Sequence, residues 1–277
     1  MNALLAKEWL EMKRNLKVIW LPIVFAILGL TQPLLVKFLP EILKAVGGVQ
    51  DADALVQMMG PTTPEVILGQ TLSSQYDQLG IIIFAVAAMG VILSDRNSGM
   101  LAFIMTRPVE LRSYVMAKWM SQFMTAFCVL LFGYALSAYY TILLFGDLSL
   151  KRVILAFLMY VVWFCFVVGI VILASAFFKS SAAVASIAVV FAIILTALNA
   201  LDSKWLALSP AYLSKSAAQF LTNGQVLDWF YVSLALTIVY LVILFSLTLL
   251  VMRQKPTASR KSLNMLYYFR GEDCGEN

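Results

Sequence analysis

The chain contains no histidine and only three cysteines, Cys128, Cys165 and Cys274. Without histidine, neither an HExxH metalloprotease helix nor a serine–histidine hydrolase site can be assembled. Cys128 and Cys165 lie in apolar runs and Cys274 in a polar stretch, so neither a CxxC redox pair nor a paired-cysteine metal site is available. Isolated cysteines in apolar runs behave as small hydrophobes. No GxxxxGK loop occurs, which denies the chain a P-loop of its own for ATP. Charge is scarce too. Asp, Glu, Lys and Arg make up 13% of the 277 residues, against roughly 25% in a soluble domain. With 62% hydrophobic residues, the composition excludes a disordered chain, a nucleic-acid-binding domain and a small disulfide scaffold.

What the chain has is length without charge. Six stretches carry no Asp, Glu, Lys or Arg: 18–36, 78–94, 119–146, 153–178, 180–201 and 229–252. A helix crosses the hydrocarbon with about 20 apolar residues, and about 17 is the short limit. All six qualify, although 78–94 must borrow a residue or two from its flanks. They lack the polar face of soluble helices and the alternation of barrel strands. The expected fold class is all-α, a polytopic membrane protein with six transmembrane helices. Run 180–201 follows its predecessor after the single charge Lys179, as in a tight hairpin.

With six spans both termini share a side. That side receives fourteen of the 20 Lys and Arg residues and the other side six, which predicts cytoplasmic termini. The net charge of +5 then reflects anchoring beside anionic lipid and does not point to nucleic acid.

The connections carry the remaining information. In 1–15, Leu5, Trp9, Met12 and Leu16 recur at helical spacing, and Lys7–Glu11 is an opposite-charge pair at i,i+4. Two acids and the lack of a cleavage site argue against a signal peptide. An amphipathic helix in the cytoplasmic interface is expected, with Trp9 at headgroup level. Residues 37–77 form a long outer connection, in which Pro40-Glu41 and Thr63-Pro64-Glu65 both read as helix starts. Residues 95–118 form the sizeable inner loop. Its polar turn Asp95-Arg96-Asn97-Ser98-Gly99 leads into the apolar segment Met100, Leu101, Phe103, Ile104 and Met105, too short to span. Thr106-Arg107-Pro108-Val109 then breaks that segment. Its apolar side fits either the lipid and bundle or a soluble partner. Residues 202–228, around Pro210, fit an outer interfacial segment or a re-entrant hairpin. The tail 253–277 starts with a helix stop, Arg253-Gln254-Lys255-Pro256.

The six runs hold no Asp, Glu, Lys or Arg, which weakens ion-coupled transport and removes an intramembrane aspartyl protease. A conduit or scaffold driven from elsewhere remains.

The stretch Asp95-Arg96-Asn97-Ser98-Gly99-Met100-Leu101, with its Thr106-Arg107-Pro108-Val109 ending, resembles a signature of ABC-2-type ABC transporter membrane subunits, a bacterial exporter family. The opening Leu5-Ala6-Lys7-Glu8 is similar to that family's interfacial elbow helix. Asp95 replaces the usual glutamate, Asn97 a common second acid and Met100 a common threonine. The resemblance implies a transmembrane domain over 1–252, followed by a cytoplasmic tail, in the bacterial cytoplasmic membrane. It implies an ATPase-coupling loop made of Asp95, Arg96, Gly99, Met100, Leu101, Phe103, Ile104, Thr106, Arg107 and Pro108. Phe103 is the expected anchor, with Asp95 and Arg96 flanking its seat. Leu5, Lys7, Glu8 and Trp9 would be the interfacial anchor. The implied partners are a second permease chain, the same or homologous, membrane lipid and two cytoplasmic ABC ATPases that carry the ATP and Mg2+. No catalytic, metal or cofactor-binding residue is expected in this chain. The implied function is the permease of an ATP-driven exporter for a hydrophobic or amphipathic substrate. The alternatives are a sensor or immunity-type protein that binds a peptide or drug without moving it, and a structural scaffold of a membrane complex.

Overall fold

The computed structural model describes residues 2–47, 63–100, 110–198 and 208–254. Every regular element among them is helical: α1 Asn2–Arg14, α2 Lys17–Gly47, α3 Pro64–Gln70, a π-helical segment Thr71–Gly80, α4 Ile81–Ala88, α5 Leu93–Asn97, α6 Leu111–Phe145, α7 Leu150–Phe177, α8 Ser181–Leu198, α9 Tyr212–Asn223 and α10 Phe230–Gln254. Five helical stretches are long and apolar enough to cross a membrane: Lys17–Ala45, Pro64–Asn97, Leu111–Phe145, Leu150–Phe177 and Phe230–Gln254. The protein is an all-α, multi-pass membrane protein. Helix α8, with 18 residues, is apolar but shorter than these five.

Two expectations about the first outer connection change. Pro40-Glu41 does not start a helix, because α2 runs unbroken through Pro22, Pro33 and Pro40. Proline removes one backbone donor, and a membrane helix tolerates that when its neighbours satisfy the freed group. Thr63-Pro64-Glu65 does start one: the Thr63 hydroxyl accepts from the Val66 N–H, and Pro64 fills the first turn.

The second correction matters more. The second span is not confined to 78–94. It runs 34 residues, from Pro64 to Asn97, and places Asp77 inside the bundle. Polar, turn-like residues from Gln70 to Gln78 hide its length from a hydropathy reading. At α-helical spacing Asp77 would share a face with Ser73 (i−4) and Ser74 (i−3). The wider i→i+5 winding of the π-helix instead gathers Thr71, Leu72, Tyr76, Asp77 and Gly80 on the buried side.

Aromatic side chains fill the core. Phe25 stacks on Tyr76, with ring centres 5.6 Å apart, and Phe164 lies edge-on to both Phe25 and Phe84. Helices α2 and α6 cross at Gly29 and Gly133. A Cβ on Gly29 would lie 2.5 Å from the Gly133 carbonyl oxygen, and one on Gly133 would lie 2.6 Å from that of Phe25. Small residues permit this approach where no water expulsion drives helices together.

Helix α9, from the 202–228 connection, packs into the bundle against α3 and α7. Leu213, Ala217 and Leu221 are fully buried there. Gly224 ends the helix in the left-handed conformation, φ 69°.

Candidate functional site

At one end of the bundle the chain brings together the buried charges of Glu8, Asp95 and Lys118. Helix α1 stops at Arg14, and Leu16 adopts a positive φ of 54° before α2 begins. This corner lays α1 against α2 and α6. Glu8 is buried there, and the ammonium of Lys118 from α6 reaches its Oε1 at 2.8 Å. The same ammonium lies 2.8 Å from Asp95 Oδ2, and Lys7 donates to Asp95 Oδ1 at 2.6 Å. Tyr114 donates to Asp95 Oδ2 at 2.8 Å, while Lys7 also meets Glu8 and Glu11, each at 3.3 Å. The Lys118 side chain is only 1% exposed. Each buried charge of this cluster therefore has an opposite partner, the condition for keeping ions out of water. Burial alone would lower the Lys7 pKa. The hydrogen bond to Asp95 and the charges of Glu8, Asp95 and Glu11 outweigh burial and hold the ammonium above its ordinary value.

The helix break beside this cluster is equally well tied. Around Met89–Ile92 the second span kinks, and the Val91 N–H turns to the Ala88 carbonyl. The freed Ala87 carbonyl accepts from Lys17 Nζ at 2.6 Å. Helix α5 then starts without a side-chain cap of its own. The Ser175 hydroxyl of α7 supplies one, accepting from the N–H groups of Ile92 (3.1 Å) and Leu93 (3.2 Å). Arg96 donates to the carbonyls of Ala176 (2.7 Å) and Phe178 (3.4 Å), satisfying acceptors left open at the end of α7. Gly99, at φ 72°, turns the chain away with open space around its Cα, and Met100 is 41% exposed.

Asp95 and Arg96 both point into the bundle and fasten the root of the loop to α1, α6 and α7. Among the expected interfacial anchors, Lys7 and Glu8 also turn inward, Leu5 is half-buried, and Trp9 is 49% exposed. Leu101, Phe103, Ile104, Thr106, Arg107 and Pro108 lie outside the described residues. Sequence reasoning missed Tyr114, Lys118 and Ser175. In the sequence Lys118 is one of the fourteen basic residues on the side of the termini. The available signal was its place directly before a charge-free run, where a lysine is half inside the bundle.

A second polar node lies deeper. Asp77 Oδ1 accepts from Tyr160 Oη and Trp163 Nε1, both at 2.9 Å, and Oδ2 accepts from the Ser214 hydroxyl. These bonds join the π-helical segment to α7 and α9. Among the described residues no group of three or more His, Cys, Asp or Glu is placed to hold a metal ion.

The chain is thus a multi-pass helical membrane bundle in which the segment Leu93–Asn97 is tied to three other helices. The family model described as "ABC-2 family transporter protein" matches residues 2–251, and the chain belongs to that family. It is 37% identical over 250 residues to the "Uncharacterized transmembrane protein YxlG" of Bacillus subtilis (strain 168), covering 88% of this chain and 93% of that one. Members of the family are typically non-catalytic membrane subunits that function with ATPase and permease partners.

Proposed function

We propose that the chain is the permease subunit of an ATP-driven exporter, forming the membrane route for a hydrophobic or amphipathic substrate. It works with separate ATP-binding subunits. In this reading α8 is the sixth span and both termini are cytoplasmic, in the bacterial plasma membrane. Two permease chains pair with two ABC ATPases, and α1 lies along the inner surface with Trp9 toward lipid. The bundle end where Lys7, Asp95, Lys118 and the close of α7 meet is the end that the basic-residue bias marks as cytoplasmic, which supports the orientation.

The observation that carries the reading is the root of the inner loop. The segment from Leu93 to Asn97 is bonded to α1 through Lys7, to α6 through Tyr114 and Lys118, and to α7 through Ser175 and Arg96. A push on the loop beyond Gly99 would reach three helices at once. Nucleotide binding on the ATPases can shift the bundle only if the loop is held differently in its two states. Met100, Leu101, Phe103, Ile104 and Met105 form the docking face, with Phe103 seated in the ATPase.

The test is capture of the partner ATPase by the purified permease. Phe103→Ala weakens capture about thirtyfold, as truncation of a packed aromatic anchor costs about 2 kcal/mol, and Phe103→Asp abolishes it. Both variants still insert and remain monodisperse. Undiminished capture by both refutes the docking role.

A further inference from the structure

Hydrocarbon offers polar side chains no partner, so an exposed polar face at mid-span depth must meet water or protein. The π-helical segment presents such a face. Gln70, Ser73 and Gln78 are exposed, and Ser74 and Gln75 are half-buried beside them. Gln32 of α2 extends the group, donating to Gln70 Oε1 at 2.8 Å and accepting from Gln75 Nε2 at 3.2 Å. The Ser73 and Ser74 hydroxyls donate to the carbonyls of Gly69 and Gln70, which leaves their lone pairs outward. The Gln78 side-chain amide has no partner among the described residues.

The depth follows from the neighbour of Gln78. Asp77 is bonded to Tyr160 and Trp163, near the middle of the 28-residue α7. At 1.5 Å per residue, Gln78 lies about 20 Å from either end of that helix, inside a hydrocarbon layer about 30 Å thick. Toward the Lys7–Asp95 end the exposed residues turn apolar, with Leu79 46% and Val86 48% exposed. The face is thus polar in one half of the membrane and apolar in the other. It carries no charge, because the π-winding turns Asp77 inward onto three donors.

We infer that this face is a wet cargo-binding surface that recognises an uncharged, hydrogen-bonding head group, hydroxyl or amide, on an amphiphile. The apolar part of the cargo lies along Leu79 and Val86. A charged head group at this depth would need a counter-charge, and the polar side chains described on this face, Gln32, Gln70, Ser73, Ser74, Gln75 and Gln78, carry none. The inference rests on the exporter reading and specifies its substrate class.

The experiment uses the full chain in nanodiscs, with Cys128, Cys165 and Cys274 replaced and single cysteines placed at Ser73, Gln78 or Val86. A membrane-impermeant thiol reagent labels Ser73→Cys and Gln78→Cys, and labels Val86→Cys much more slowly. Dodecyl maltoside, below solubilising concentration, slows labelling of Ser73→Cys; dodecyltrimethylammonium, with the same tail and a charged head, does not. Adding Gln78→Leu weakens the maltoside protection roughly fivefold, the effect of one net hydrogen bond. Absence of labelling at both polar positions overturns the wet face, as does disulfide formation between Gln78→Cys copies without labelling, since a second copy then covers it. Equal protection by the ammonium amphiphile overturns the substrate class. None of these readouts involves the ATPase, so failure of ATPase capture would refute the exporter reading separately.

Discussion

Lys7 Nζ lies 2.6 Å from Asp95 Oδ1, across 88 positions of sequence. This one contact joins the Leu5-Ala6-Lys7-Glu8 opening to the Asp95-Arg96-Asn97-Ser98-Gly99 turn. They are the two stretches that separately resemble the family's signatures, and in the folded chain they form one structure, closed by Lys118 between Glu8 and Asp95.

The members of this cluster should differ sharply in weight. Lys118→Met removes the more deeply buried of the two cations that bridge Glu8 and Asp95, its side chain only 1% exposed, and breaking one side of a buried pair costs about 3–5 kcal/mol. Lys7 is 28% exposed, so solvent screens its pairs and Lys7→Met should cost closer to about 1 kcal/mol. Thermal unfolding in one detergent should rank Lys118→Met well below Lys7→Met. The reverse order would mean that the cluster is held from α1.

The pH dependence follows from the raised Lys7 pKa. A base whose pKa is higher in the folded state contributes stability that is fully present below its unfolded value of about 10.4. That contribution is lost only as pH rises through the higher folded value. The gap in melting temperature between the wild type and Lys7→Met should therefore stay constant from about pH 6 to pH 9. A gap that closes between neutrality and pH 9 would show that Lys7 is not paired as described.

The α2–α6 crossing predicts a contrast between glycines. Gly133→Ala drives a methyl group against the Phe25 carbonyl oxygen, backbone that cannot swing aside, and overpacking costs about 1–3 kcal/mol. Gly90→Ala meets nothing within 4 Å and should leave the melting temperature unchanged. Equal effects would mean that the helices do not cross so closely.

Asp77 should control the docking of α9. Asp77→Leu leaves Tyr160, Trp163 and Ser214 without an acceptor, and each buried unmet donor costs about 1–3 kcal/mol. Asp77→Asn keeps an acceptor oxygen and should cost less. Hydrogen exchange over Tyr212–Asn223 should accelerate strongly in the leucine variant and slightly in the asparagine variant. Unchanged exchange in both would disconnect Asp77 from α9.

Much of this architecture is legible in the sequence because its causes are local. Charge-free length marks the helices, Thr63-Pro64 marks a helix start, and Gly99 marks a turn that needs positive φ. The misreadings share a different cause. Asp77 appears as a boundary because its burial depends on π-winding, and no residue pattern separates that from α-helical spacing. Pro40 appears as a start because local sequence does not reveal that neighbouring helices tolerate a lost donor. Asp95 and Arg96 are visible as a motif, but their inward direction depends on Lys7, Lys118 and the end of α7. Those partners are distant in sequence and meet only through the packing of α1, α6 and α7.

The central claim is that the loop root transmits the nucleotide state of the ATPases to the bundle. The most direct test is the rate of ATP hydrolysis by the reconstituted complex, relative to the ATPase alone, with wild-type permease and with Asp95→Asn. The asparagine keeps the shape and the Tyr114 acceptor but removes the charge shared by Lys7 and Lys118. The account predicts that Asp95→Asn captures the ATPase as well as the wild type does, because the residue is buried within the bundle. It also predicts that the variant loses most of the permease-dependent change in hydrolysis. Normal capture together with an undiminished change in hydrolysis would contradict it.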